Sequence, residues 1–221
     1  DQLLNTVSVP MVAAIIAVVV LIGALRGRWV AAIAAAVAVA GANLTTQALK
    51  YRVFERDDLL GLGGWNSTNT LPSGHTTVAA AGLVGLILVA PPSLRSVTTA
   101  FGVIGVSAYG FATLVNHWHR PSDVAAAVLV ASGWGYLGVA AIRIADRTGR
   151  VRDRAHRPGA TSVILVMLAI CGLALSVAAG YLSWSVDPQT AEVTAAFIAY
   201  VGGVAALVGI TCGALGALLR L

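Results

Sequence analysis

Apolar residues in this chain come in blocks about as long as a helix needs to cross a bilayer, roughly 20 residues for a core about 30 Å thick. Seven blocks qualify, at about 3–25, 29–49, 75–91, 95–117, 122–143, 160–183 and 192–219. The third is short and glycine-containing, and the last is long enough to tilt or to enter late. No window shows sustained alternation of period two, which argues against a β-barrel. The pattern predicts an all-α fold, a polytopic transmembrane helical bundle of about seven spans.

Composition agrees with that reading. Of 221 residues, 58% are hydrophobic and only 10% charged, whereas soluble domains carry about 25% charge. The apolar residues are mostly Ala, Val, Leu and Gly, which suit close helix packing in lipid. Thirteen Arg against one Lys, with so much Ala and Gly, looks like GC-rich coding; the expected location is the plasma (inner) membrane of a bacterium. The formal charge of +5 would suggest nucleic acid in a soluble chain; here membrane topology accounts for it, and no nucleic-acid partner is expected. Cys171 and Cys212 both fall inside apolar blocks and read as packing residues.

The arginines set the orientation. With residue 1 outside, alternate connections on the cytoplasmic side hold Arg26, Arg28, Arg95, Arg143, Arg147, Arg150, Arg152, Arg154, Arg157 and Arg220. The opposite side holds Lys50, Arg52, Arg56 and Arg120. That bias follows the positive-inside rule and places residues 50–74, 118–121 and 184–191 outside the cytoplasm. The run from Arg147 to Arg157, with His156, reads as a topology-setting loop. Trp29, Trp65, Trp118 and Trp184 lie near span ends and read as interfacial anchors.

The parity of the crossings then brings three polar strings to one boundary. Lys50 and Arg56 follow the second span as it exits, and Pro72-Ser73-Gly74-His75 opens the third as the chain re-enters. His119-Arg120-Pro121-Ser122-Asp123 joins the fourth span to the fifth. One helical hairpin separates His75 from His119, so distance in sequence becomes nearness in space. A helix N-terminus at Gly74 offers unpaired N–H groups to an anion, and Ser73 adds a hydroxyl. Pro121 suits a first helical position. Asp123, one turn beyond His119, can accept from its ring and fix the tautomer. Phosphate is the anion that such donors and cations fit. No carboxylate cluster or Cys/His set with metal-ligand spacing accompanies them, so neither a metal nor another cofactor is expected.

These strings resemble the type 2 phosphatidic acid phosphatase superfamily, membrane enzymes that dephosphorylate lipid phosphates. That family shows a Lys followed by Arg-Pro, then Pro-Ser-Gly-His, then Ser-Arg followed by His-x-x-x-Asp. The second string is intact here, the third is matched at His119 and Asp123, and the first loosely at Lys50 and Arg56. Asp57 stands in place of the family Pro, and Thr113 in place of the family Arg six residues before His119. The first string also follows the second span rather than the third.

The resemblance covers about residues 1–145 and divides the chain into that core, an Arg-rich cytoplasmic loop at 146–158, and two additional helices at 159–221. It implies a metal-independent phosphatase whose substrate is a phosphatidic acid-type or polyprenyl phosphate or diphosphate at the extracytoplasmic face. His119 would be the nucleophile, Asp123 its orienting carboxylate and His75 the acid and base. Lys50, Arg56, Ser73 and Gly74 would hold the phosphoryl oxygens. Two alternatives remain open: a non-catalytic protein of the same fold that binds or moves lipids, and a lipid phosphotransferase.

Overall fold

A computed structural model describes residues 9–55, 69–145, 159–185 and 188–220. Among these residues seven helices follow one another: α1 Val9–Leu25, α2 Trp29–Ala48, α3 Gly74–Val89, α4 Pro92–Val115, α5 Pro121–Ala145, α6 Ala160–Ser185 and α7 Pro188–Ala217. A π-helical turn, Leu49–Val53, extends α2, and a 3₁₀ turn, Leu218–Arg220, ends the chain. Among the described residues there is no strand.

Among the described residues five segments are long and apolar enough to cross a membrane: Trp29–Val53, Pro92–Val115, Pro121–Ala145, Ala160–Ser185 and Val193–Ala217. The helices Val9–Leu25 and Gly74–Val89 are shorter but equally apolar. Alanines crowd the helix contacts, and many large apolar side chains face outward. Ala35, Ala38, Ala42, Ala80, Ala81, Ala127 and Ala131 are buried, while Ile33, Leu44, Phe101, Ile104, Leu129, Leu137 and Ile164 face outward. An exposed apolar belt of that extent would aggregate in water; in lipid it is the ordinary solvent-facing surface. The protein is a multi-pass membrane protein.

The centre of the bundle is the trio α2, α3 and α5, whose alanine-rich faces let backbones approach closely. Gly41 makes room for the Trp134 indole: a Cβ there would meet the ring at 2.6 Å. Trp134 Nε1 donates across the interface to Thr45 Oγ1 at 3.0 Å. Helices α6 and α7 form a tight pair at Gly172 and Gly209. A Cβ on Gly172 would meet the Ala205 carbonyl oxygen at 2.7 Å.

The C-terminal pair shares the core of the first five helices. Leu165, Ala169, Cys212, Leu215 and Leu218 belong to the same buried cluster as Val39, Val84 and Val128. Leu207 packs with Val124 and Leu114, and the Tyr136 hydroxyl donates to the Ala214 carbonyl at 2.8 Å. Helix α7 therefore lies directly against α5, whose first turn carries Asp123. Arg26 and Arg28 close the opposite end of the bundle, donating to the Val89 and Ala90 carbonyls where α3 stops.

Candidate active site

Four helix ends meet at the other end of the bundle, the last turns of α2 and α4 and the first turns of α3 and α5. Helix α2 is tied to the first turn of α3 by a hydrogen bond between the Thr46 and Thr77 hydroxyls at 2.9 Å, both buried. Lys50 stands one turn beyond Thr46, in the π-helical extension, half-buried and not without a partner. Asn69 binds the turn that leads into α3: its Nδ2 donates to the Glu55 carbonyl at 3.1 Å, and its Oδ1 accepts from the Leu71 N–H at 3.1 Å.

Ser73 caps α3. Its Oγ accepts from the Thr76 N–H at 3.3 Å, and its carbonyl accepts from the Thr77 N–H at 3.0 Å. The preference of Ser for this position is the ordinary one, satisfying a first-turn donor. Gly74 follows with nothing within 4 Å of where a Cβ would sit, so a ligand can come close to its backbone. His75 follows in the same turn, half-buried and not without a partner.

The end of α4 delivers His119. The Trp118 N–H donates to the Thr113 carbonyl and the His117 N–H to the Leu114 carbonyl, both at 3.0 Å. His117 sits at φ 56°. This is the paired closure that ends many helices with a left-handed residue, a place glycine usually takes. It reverses the chain within two residues and leaves His119 next to Pro121, the first residue of α5. His117 and Asn116 themselves are exposed, and Asn116 Nδ2 bonds back to its own helix at Ala112 O, 2.8 Å away.

Asp123, 2% exposed, is the polar centre. Its Oδ2 is 3.2 Å from His119 Nδ1 and accepts from the Arg120 backbone N–H at 3.0 Å. Thr70, also buried, donates its hydroxyl to the same oxygen. The Ser122 hydroxyl reaches Oδ1 at 3.4 Å. With Nδ1 of His119 turned to a carboxylate acceptor, the neutral ring keeps its proton there and its lone pair on Nε2. The His75 ring centroid is 6.3 Å from that of His119 and 5.6 Å from that of Trp118.

The structure thus gathers His75, His119, Asp123, Ser73 and Gly74 at one bundle end, with Lys50 at the same end of α2. Arg56 lies outside the described residues. Thr113 is fully buried, and its hydroxyl donates to the Gly110 carbonyl at 2.7 Å. The side chain standing where the family has Arg is therefore bonded into its own helix. Two contributors were not singled out from the sequence. Trp118, read as an interfacial anchor, packs on the His75 ring, and Thr70 holds Asp123. Both lie within a few residues of a motif histidine; Thr70 carries no other signal. Among the described residues no three His, Cys, Asp or Glu side chains gather as metal ligands do.

The sequence model of the PAP2 superfamily matches residues 31–147, more than half the chain. The chain belongs to the PAP2 superfamily. The match begins in α2, ends just past α5 and includes all three motif strings. Membership points to phosphatase-type chemistry on lipid phosphates. No curated protein and no solved structure matches the chain significantly.

Proposed function

We propose that this PAP2 protein is a metal-independent phosphatase that hydrolyses the phosphomonoester or diphosphate of a membrane lipid, phosphatidic acid-like or polyprenyl, through a phosphohistidine. The observation that carries the reading is the His119–Asp123 pair with the His75 ring 6.3 Å away, set where an apolar bundle meets its polar end. One small tetrahedral anion can touch both imidazoles across such a gap.

In the first step His119 Nε2 attacks phosphorus. The P–N bond forms as the P–O bond to the lipid breaks, and protonated His75 hands its proton to the departing oxygen. Asp123 stabilises the charge that develops on the His119 ring. In the second step His75 takes a proton from water, the hydroxide oxygen bonds to phosphorus, and the P–N electron pair returns to His119. Lys50, Ser73, the Gly74 N–H and Arg56 hold the phosphoryl oxygens, the main source of stabilisation in phosphoryl transfer. The arginine bias supports an extracytoplasmic site in a bacterial inner membrane.

Purified protein in detergent is expected to release inorganic phosphate from phosphatidic acid or a polyprenyl phosphate without added metal. His119→Ala and His75→Ala should each lower kcat by at least about a thousandfold, the scale of losing a nucleophile or its proton donor. Full turnover in His119→Ala would end the phosphohistidine mechanism. Thr113, buried and self-bonded, favours a second reading, a lipid-binding protein of this fold without catalysis. Lipid binding with no phosphate release from any substrate would select it. Label moving to a second lipid instead of into solution would select a phosphotransferase.

A further inference from the structure

A groove on the bundle's lipid-facing surface lies between α1 and α4, with α3 as its floor, and encloses about 460 Å³. Its walls are apolar: Met11, Ile15 and Val18 on one side, Gly102, Gly105 and Val106 on the other. The floor is Val78, Ala79, Gly82, Leu83 and Leu86. Four of these follow His75 by 3, 4, 7 and 11 residues. At 3.6 residues per turn, each falls within about 60° of the His75 direction. His75 is therefore the outermost member of the α3 stripe that floors the groove, which opens one turn below the ring.

The wall on α4 has room in it. A Cβ on Gly105 would meet nothing within 4 Å, whereas one on Gly102 would meet Leu83 at 2.0 Å. Leu83 fills the space at Gly102, and the space at Gly105 stays open.

The proposed chemistry gives this groove a direction. His75 protonates the leaving oxygen, and His119 attacks phosphorus from the opposite side. Whatever is bonded to the leaving oxygen therefore departs past His75, where the apolar stripe begins. The geometry points to the α1–α3–α4 groove as the seat of the substrate's apolar chain, one extended hydrocarbon tail attached through the leaving oxygen. This rests on the phosphatase reading. From Val78 to Leu86 the helix rises about 12 Å, the length of about ten chain carbons.

Phosphate release from n-alkyl monophosphates, butyl to hexadecyl, by the full chain in detergent tests the assignment. The native kcat/KM rises with chain length up to about decyl and then flattens, because each buried methylene adds favourable transfer free energy until the groove ends. Gly105→Leu, which fills the open wall, lowers kcat/KM for hexadecyl phosphate about tenfold, the equivalent of about two methylenes left unburied. The same variant changes p-nitrophenyl phosphate turnover less than about twofold. Gly133→Leu, on α5 and equally open, leaves both substrates unaffected. No dependence on chain length, or equal loss on both esters in Gly105→Leu, overturns the assignment.

A second arm does not need turnover. In His119→Ala, an alkyl phosphate carrying a diazirine near its chain end labels residues 78–86 or 97–110, and Gly105→Leu reduces that labelling. Labelling confined to α6 and α7, or equal competition by hexadecanol, overturns the assignment and leaves the groove to a bystander lipid or a second copy of the chain. If the native protein releases phosphate from no ester, the phosphatase reading fails and this labelling alone decides the groove.

Discussion

Ser73 donates its backbone N–H to the Asp123 carbonyl oxygen at 3.0 Å. That single bond locks the turn entering α3 to the first turn of α5, so the residues around His75 and around His119 cannot shift independently. It is the backbone half of a clasp whose side-chain half is Thr70, hydrogen-bonded to the Asp123 carboxylate. Both donors come from the same short segment, and both acceptors belong to one aspartate.

Thr70→Val keeps the shape and removes the hydroxyl, leaving a buried carboxylate one donor short. Hydrogen bonds to charged groups contribute about 1.5–3 kcal/mol, so the melting temperature should fall. Loss of orientation at His119 should lower kcat about tenfold with KM little changed. Thr70→Ser, which retains the donor, should restore most of both. Native kcat in Thr70→Val would show that Asp123 does not depend on this bond.

His117 closes α4 from the left-handed region, at φ 56°, where a side chain costs about 1–2 kcal/mol and glycine costs nothing comparable. His117→Gly should therefore stabilise the protein by about 1 kcal/mol against thermal unfolding, since the positive-φ closure is kept. The ring is exposed and takes no part in the proposed chemistry, so phosphate release should stay within about twofold of native. A large loss of activity would give this third histidine a role that its position does not suggest.

What was legible in the sequence follows from which forces are local. Helices α2 to α5 could be read because each needs a long apolar block between polar stops, with Pro72 just ahead of α3 and Pro121 at the start of α5. The meeting of His75 with His119 was legible from crossing parity alone. Thr70 was not, because its loop has no period and its acceptor is far along the chain. Trp118 looked like an anchor because indoles at span ends usually are. The contact of α7 with Pro121 was equally hidden: in a chain with 24 glycines, nothing marks Gly203 as facing a proline.

Trp118 lies with its ring centroid 5.6 Å from that of His75, tilted by 55°. Aromatic pairs in such arrangements contribute about 0.5–1.5 kcal/mol beyond their buried area, and an indole also favours a nearby imidazolium. Trp118→Leu should lower kcat about fivefold by loosening the proton donor, with little change in KM for p-nitrophenyl phosphate. Trp118→Phe should recover most of the loss. If Leu and Phe variants behave alike, the ring is a membrane anchor and nothing more.

Gly203 of α7 faces Pro121, the residue that starts α5 two positions before Asp123. A Cβ on Gly203 would lie 2.6 Å from the Pro121 Cγ, and proline is a rigid ring that cannot rotate aside. Gly203→Leu must therefore push α7 away from α5 or displace the start of α5. Overpacking of this kind costs about 1–3 kcal/mol, so the melting temperature should drop. The larger consequence concerns the site, because a shift of about 1 Å in Pro121 moves Asp123 relative to His119 and can lower kcat about a hundredfold. Gly180→Leu on α6, where a Cβ would meet nothing within 4 Å, carries the same added bulk and should leave both stability and turnover near native. If Gly203→Leu loses stability but keeps kcat, α7 only supports the bundle; loss of kcat beyond the loss of folded protein makes the C-terminal helix part of what aims the aspartate.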